Sequence, residues 1–281
     1  MDRLLLCTDL DRTLLPNGLQ KESPGARQSF ARLAALPSVR TVYVTGRDPA
    51  LVDDAIRSWV VPVPDLLIAD VGTTIASPAG TAWERWGAWD EHLAADWADT
   101  PPDKFLSVVD VVPGLRRQDP ACQTAFKKSW FTPGGEAGGR AADEVRRRLA
   151  AAGVRANVIW SEDERTGEGL LDVLPAAATK LLALEFVVAR WGYDPAEVVF
   201  AGDSGNDLDV LASRIPAVLV ANADPAVRQE ALRRSSEAGH EANLYCARGD
   251  LTGMNGNYAA GILEGVLHYR PDWSGFMSGE K

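Results

Sequence analysis

The chain opens on a short apolar run, residues 3 to 8 (RLLLCT), and two aspartates, Asp9 and Asp11, close behind it. A run this short, apolar at successive positions without polar alternation, predicts a strand buried on both faces of a parallel sheet. In SPGARQSFARLAALP the apolar positions recur at helical spacing, with Ser23 placed as N-cap, Pro24 at the first helical position and Pro37 as the stop. Residues 39 to 47 (VRTVYVTGR) predict a second strand ending in a small polar loop, DPALVDDAIRSW a second helix, and residues 65 to 72 (DLLIADVG) a third strand. Strand and helix in alternation predict an α/β fold whose core is a doubly wound, mostly parallel sheet.

The alternation stops near residue 75. Trp83 to Pro102 is rich in tryptophan and acid, and strand-like KFLSVVDVVPGL and TAFKKSWF follow. After a glycine-rich turn come a helical RAADEVRRRLAAAG and strand-like RANVIWS and GLLDVLP. This mixture predicts a smaller α+β domain over residues 76–175, inserted into a core of residues 1–75 and 176–281. Alternation resumes at Thr179 with helix TKLLALEFVVARWG, strand EVVFAGD, helix NDLDVLASR and strand AVLVA.

Composition narrows the classes of function. With 281 residues and 46% hydrophobic content the chain has material for a real core. A formal charge of −10 argues against nucleic acid and anionic membrane as partners, since both reward basic surfaces. Cys7, Cys122 and Cys246 are odd in number and in no paired spacing, so no disulfide framework or zinc site is expected. With no apolar run long enough for a signal peptide or a membrane span, a cytoplasmic protein is the expectation.

In open α/β sheets, ligands bind at the carboxyl ends of the strands. Here those ends carry Asp9 and Asp11, then Thr45, Gly46 and Arg47, then Asp203, Asn206 and Asp207, with Lys180 at the start of the preceding helix. Carboxylates converging on one sheet edge repel unless a cation neutralises them, and an oxygen-rich cluster of this type suits Mg²⁺. Taken singly, an Asp after a strand is more often a turn residue or a helix cap. His92, His240 and His268 have no metal-ligand spacing and read as surface or satisfied residues.

DLDRT, the TGR after the second strand, Lys180 and GDSGND together resemble, in order and approximate spacing, the four motifs of the haloacid-dehalogenase-like phosphatases. The resemblance implies that Asp9 attacks phosphorus to form an aspartyl-phosphate. It also implies that Asp11 is the general acid and then the base. Mg²⁺ would be held by the Asp9 carboxylate, the Asp11 main-chain carbonyl and Asp203, with Asp207 acting through water. Thr45 and Lys180 would hold the phosphoryl oxygens, beside Gly46, and Asn206 would orient the Lys180 ammonium or a phosphate oxygen. Arg47 is left between a substrate-facing role and a structural ion pair.

The insert lies between the TGR and Lys180 motifs, where one branch of that family carries an α+β cap. Within the branch, DVGT, LRRQ, the Gln123–Lys127–SWF stretch, LDVLP and YAAGILEGVLHY are similar to the sucrose-phosphate phosphatase group over almost the whole chain. Carried over by position, Gln123 and Lys127 touch the sugar, Ser129 is their neighbour, and the Gly72 loop lies under the sugar. Phe126 stands where that group commonly has His, and Arg12 replaces a small residue. The expected activity is therefore Mg²⁺-dependent hydrolysis of a sugar phosphate, foremost a disaccharide phosphate such as sucrose-6-phosphate, by a monomer or weak homodimer. Mannosylfructose phosphate, glucosylglycerol phosphate or another sugar phosphate are the alternative substrates. A phosphohexomutase and a catalytically silent carbohydrate-binding or partner protein are the competing readings. Trp83, Trp86, Trp89 and Trp97 stand either for sugar stacking or for packing, the commoner use.

Overall fold

The computed structural model describes residues 3–99, 101–163 and 166–273. Trp86–Ala183 form one compact unit, and the residues flanking them form the other. The first leg of the flanking unit runs β1 (Leu4–Thr8), α1 (Ala26–Ala34), β2 (Val39–Val44), α2 (Pro49–Trp59), β3 (Leu66–Ala69) and a hairpin, β4 (Thr74–Ala79) and β5 (Ala82–Arg85). The inserted unit holds α3 (Gly87–Ala94), α4 (Pro102–Asp110), β6 (Arg116–Arg117), β7 (Lys128–Thr132), α5 (Gly135–Ala151), β8 (Ala156–Glu162) and β9 (Gly169–Pro175). Helix α6 (Lys180–Trp191) leads out of it into β10 (Val198–Gly202), α7 (Leu208–Leu211), β11 (Ala217–Leu219), α8 (Pro225–Glu237), β12 (Leu244–Cys246) and α9 (Ala259–Tyr269).

In the flanking unit, eight strands form one sheet in the order β12-β11-β10-β1-β2-β3-β4-β5. Pairing is parallel from β12 to β3 and antiparallel through β4 and β5, so the α/β, mostly parallel core is as expected. Strand order reverses at β1, with β2 on one side and β10 on the other. Leu4, Leu5, Leu6 and Cys7 are wholly buried, as a strand covered on both faces demands. Phe30 and Leu33 of α1 and Ile262, Leu263 and Val266 of α9 belong to the apolar cluster over one face of the sheet. The inserted unit carries an antiparallel sheet, β6-β7-β9-β8. Its own core gathers Trp97, Phe105, Val109, Trp130, Val145, Leu149 and Leu171. Among the described residues no helix is long and apolar enough to cross a membrane.

Four local expectations need correction. KFLSVVDVVPGL reads as strand, but α4 takes its first half. Phe105 and Val109 follow at i and i+4 and are buried on one face of α4, with Val112 buried in the turn just past its end, a spacing that a period-two reading misses. Ser23 does not cap α1; Gly25, at φ 78°, stands at the N-cap position, so the helix begins at Ala26. Residues 74–85 pair with β3 as β4 and β5, which moves the boundary of the inserted unit from residue 75 to Arg85. At the other end, residues 176–183 group with the inserted unit rather than with the core.

Candidate active site

Asp9 follows the last residue of β1, and its backbone N–H donates to Ala201 of β10 at 2.9 Å. The register Thr8↔Ala201 sets the end of β1 beside the end of β10, so Asp9 and Asp203 leave adjacent strands at the point where strand order reverses. Asp207 reaches the same place from the turn after β10. It is fully buried and its Oδ2 accepts from the Asp203 and Ser204 N–H groups and from the Ser204 hydroxyl, each at 3.1 Å. That fold-back needs Gly202, where a Cβ would stand 2.6 Å from the Asp207 carboxyl carbon. Carboxylate oxygens of Asp9, Asp203 and Asp207 all lie within 4.8 Å of one another, with the three residues 5%, 3% and 0% exposed. Three carboxylates in so small a buried volume, all of them hard oxygen donors, fit a hard divalent cation such as Mg²⁺.

Asp11 sits in the loop behind Asp9. Arg47 donates to it from Nε at 2.7 Å and from Nη2 at 2.6 Å, and Asn17 Nδ2 donates to it at 2.5 Å. The hydrogen bonds to Asp11 hold the Arg47 guanidinium above its ordinary pKa against the opposing pull of burial, with the charges of Asp11, Asp9 and Asp48 adding to the rise. In this structure Arg47 is paired with Asp11. The loop is braced at Arg12, whose φ of 57° is unusual for an L-residue. Asn17 Oδ1 accepts the Arg12 N–H at 2.8 Å, and Asn222 Nδ2 donates to the Arg12 carbonyl at 2.6 Å. The Arg12 guanidinium lies 3.4 Å from Asp203 Oδ2.

Thr45 is wholly buried at the end of β2, and its hydroxyl oxygen accepts the Arg47 N–H at 3.2 Å. A hydroxyl in that position still has its own hydrogen to give to an anion. Gly46 is exposed. Gly72, at φ 98°, closes a loop in which Asp70 and Val71 also have positive φ, 49° and 57°. Consecutive L-residues held there are costly, and such strain collects where a loop must present its backbone. Asn206 is exposed and accepts from Ser204.

The remaining expected residues belong to the inserted unit. Lys180, first residue of α6, is 2% exposed. Gln123 gives its amide to the Gln118 and Ser129 carbonyls, at 3.2 and 2.8 Å, and accepts the Ser129 N–H at 3.1 Å. Ser129 is buried and donates to Asp172 at 2.5 Å. Lys127 is half-buried just before β7. Phe126 packs against the unit's apolar cluster, its ring 6.5 Å from Trp97. Trp89 and Trp97 are buried in the inserted unit, whereas Trp83, on β5 of the flanking unit, donates to Asp53 at 2.9 Å.

Thr13, Asn17, Asn222 and Asp172 went unmarked in the sequence. Thr13 is wholly buried and donates to Asp203 at 3.0 Å. It stands inside the DLDRT motif and was there to be found. Asn17 reads as an ordinary turn residue, and Asn222 is brought in from the loop behind β11. Cys7, Cys122 and Cys246 are free thiols, and burial pushes the Cys7 thiol up.

The family model described as sucrose-6F-phosphate phosphohydrolase matches residues 2–270. The chain belongs to that family. It is a family of haloacid-dehalogenase-like phosphatases, enzymes that hydrolyse phosphoric monoesters of sugars. A protein of Nitrosococcus oceani described as a HAD-like hydrolase is 45% identical over 275 residues, 98% of this chain and 74% of its own length. The mannosylfructose-phosphate phosphatase of Agrobacterium fabrum is 27% identical over 269 residues, 94% of this chain and 96% of its own. Among solved structures, the sucrose-phosphatase of Synechocystis sp. PCC6803, in complex with sucrose and phosphate, superposes with a TM-score of 0.74 at 23% identity. That match covers 96% of this chain and 98% of the other. It places this family member's fold with that of a sucrose-phosphatase.

Proposed function

We propose that this family member is a Mg²⁺-dependent phosphatase acting on a disaccharide phosphate, foremost sucrose-6-phosphate. The observation that carries the reading is the buried Asp9–Asp203–Asp207 cluster beside an Asp11 held by Arg47. Asp9, Asp203, Asp207 and the Asp11 main-chain carbonyl would hold the metal. The chemistry a bound Mg²⁺ supplies is neutralisation of charge on these carboxylates and on the phosphoryl oxygens.

An Asp9 oxygen attacks phosphorus, the bond from phosphorus to the sugar oxygen breaks, and that oxygen takes a proton from Asp11. Asp11 then takes a proton from water, whose oxygen attacks the aspartyl-phosphate, freeing Asp9 and inorganic phosphate. Thr45 and Lys180 donate to the phosphoryl oxygens, whose charge is the main thing the site must stabilise. Lys127 addresses sugar hydroxyls; Gln123, whose two amide hydrogens go to the Gln118 and Ser129 carbonyls, has only acceptor capacity left for them. The Ser129–Asp172 bond fixes β7, which begins one residue after Lys127. Mannosylfructose phosphate is the second reading, supported by the match to its phosphatase along nearly the full length of both chains.

The test is release of free phosphate from sucrose-6-phosphate, mannosylfructose phosphate, glucosylglycerol phosphate and hexose phosphates. One disaccharide phosphate should exceed the hexose phosphates in kcat/KM. Conversion of a hexose phosphate to its isomer without free phosphate would point to a mutase instead. No metal-dependent turnover of any phosphomonoester would leave a silent binding protein.

A further inference from the structure

The segment that delivers Lys180 is short, and it is tied to the inserted unit at several points. β9 ends at Pro175 and α6 begins at Lys180, with Thr179 capping the helix through its hydroxyl, which accepts the Leu182 N–H at 3.0 Å. The four residues between them are held by β8 and by Asp96. Ala176 donates to the Arg155 carbonyl at 3.2 Å, and Asn157 Nδ2 donates to the Ala178 carbonyl at 3.1 Å. Asp96 Oδ2 accepts the Ala177 N–H at 2.7 Å, while its Oδ1 accepts from Arg155 Nε at 2.6 Å.

Asp96 is 81 residues from Ala177 in sequence and its side chain is 6% exposed, whereas Arg155 is 72% exposed. A buried carboxylate is costly unless its oxygens are satisfied, and here one of them is spent on a single backbone N–H three residues before Lys180. That bond joins the turn after α3 to the segment that leads into α6. The same residues group with the inserted unit by their contacts, up to Ala183, one turn into α6.

We propose that Asp96 is a positioning residue for Lys180, fixing through Ala177 the point from which the ammonium meets the phosphoryl group, so that the inserted unit governs phosphate affinity as well as sugar choice. The inference rests on the reading of Lys180 as a phosphoryl ligand. A misplacement of about 1 Å in a charge-stabilising group costs up to roughly a hundredfold in rate, so the effect should be large where the fold is intact.

The experiment measures competitive inhibition by inorganic phosphate, kcat/KM for p-nitrophenyl phosphate and for the disaccharide phosphate, and Tm, in Asp96→Ala, Asp96→Asn, Asn157→Ala and Lys180→Ala. Asp96→Ala should weaken phosphate inhibition and lower kcat/KM on both substrates together, by roughly ten- to a hundredfold. Asp96→Asn keeps an acceptor oxygen for the Ala177 N–H and should recover most of the loss. If Asp96→Ala does not fold, Asn157→Ala, which removes a second tether from a half-buried residue, should show the same pattern at smaller size. A purely structural Asp96 would lower Tm with phosphate inhibition unchanged, and that result in folded Asp96→Ala, with Lys180→Ala impaired, would overturn the inference alone. Unchanged phosphate inhibition in Lys180→Ala would overturn the reading of Lys180 and this inference with it.

Discussion

Arg47 grips Asp11 by both carboxylate oxygens, from Nε at 2.7 Å and from Nη2 at 2.6 Å, across 36 residues of sequence. A bidentate guanidinium–carboxylate pair fixes the plane of the carboxyl group as well as its place. Asn17 supplies a third contact, so the group assigned to protonate the leaving oxygen is orientated from two loops at once. Arg47→Ala should lower kcat on the disaccharide phosphate by roughly ten- to a hundredfold, within the range by which general acid catalysis usually helps. The loss on p-nitrophenyl phosphate should be smaller, because nitrophenolate leaves with little protonation. Arg47→Lys should not restore the wild-type rate, since an ammonium cannot make the paired bonds. Equal losses on the two substrates would assign Arg47 to the phosphoryl group instead.

Clustering of Asp9, Asp203 and Asp207 leads to a metal-linked stability. A ligand bound only by the folded state stabilises it, by about 2.7 kcal/mol at a hundred times its dissociation constant. Mg²⁺ should therefore raise Tm, and EDTA should abolish turnover. Ca²⁺ should inhibit, because its larger and irregular coordination does not enforce a compact octahedral arrangement. Asp203→Asn should shrink the Mg²⁺-dependent rise in Tm, measured by calorimetry without any substrate. Asp9→Asn should fold yet show no turnover, as an amide is a poor nucleophile.

Chemistry and sugar choice should separate by mutation. Lys127→Ala should lower kcat/KM for the disaccharide phosphate by the value of lost hydrogen bonds, roughly 0.5 to 3 kcal/mol. Hydrolysis of p-nitrophenyl phosphate, which offers no sugar hydroxyls, should stay close to wild type. Lys180→Ala should damage both, because the phosphoryl group is common to them. Equal losses for folded Lys127→Ala would remove Lys127 from sugar recognition.

Acid sensitivity of the inserted unit should trace in part to Asp110. Hydrogen bonds from Arg117, opposed by desolvation and joined by one from the Trp130 indole, hold its carboxyl below the ordinary 3.8. A depressed carboxyl contributes its stability above the unfolded-state value and loses it as pH falls through the folded-state value. Asp110→Asn should therefore lower Tm at neutral pH, and the difference from wild type should close as pH falls below about 4. A difference in Tm that persists undiminished at pH 2 would assign the loss to packing.

Much of this protein is legible along the chain. Leu4–Thr8 and Val198–Gly202 announce buried strands by apolar runs, and Val39–Val44 by a β-rich run broken at Arg40 and Thr41; Asp9, Asp203 and Thr45 follow them directly. A strand's burial and its carboxyl end are local properties, so the parallel core and the main acidic cluster could be expected from order alone. KFLSVVDVVPGL reads as strand because its valines suit either period, and only the burial of Phe105 and Val109 on one face of α4 decides for helix. β4 and β5 were missed because an edge hairpin, with Ala82, Glu84 and Arg85 exposed, carries little apolar signal.

What tertiary structure alone decided is the pairing of distant polar groups. Thr13 meets Asp203 across 190 residues and Asn222 meets the Arg12 carbonyl across 210, because parallel strands bring together loops that the sequence holds far apart. Glu264 is the plainest case. It sits wholly buried in the apolar helix α9, where periodicity calls for a hydrophobe, and accepts from the Tyr245 hydroxyl at 2.7 Å and from the N–H groups of Arg248 and Gly249 at 2.9 and 2.7 Å. A carboxylate can be buried there only because the chain behind β12 turns its backbone donors toward it, and no local pattern in the sequence records where a distant peptide will point.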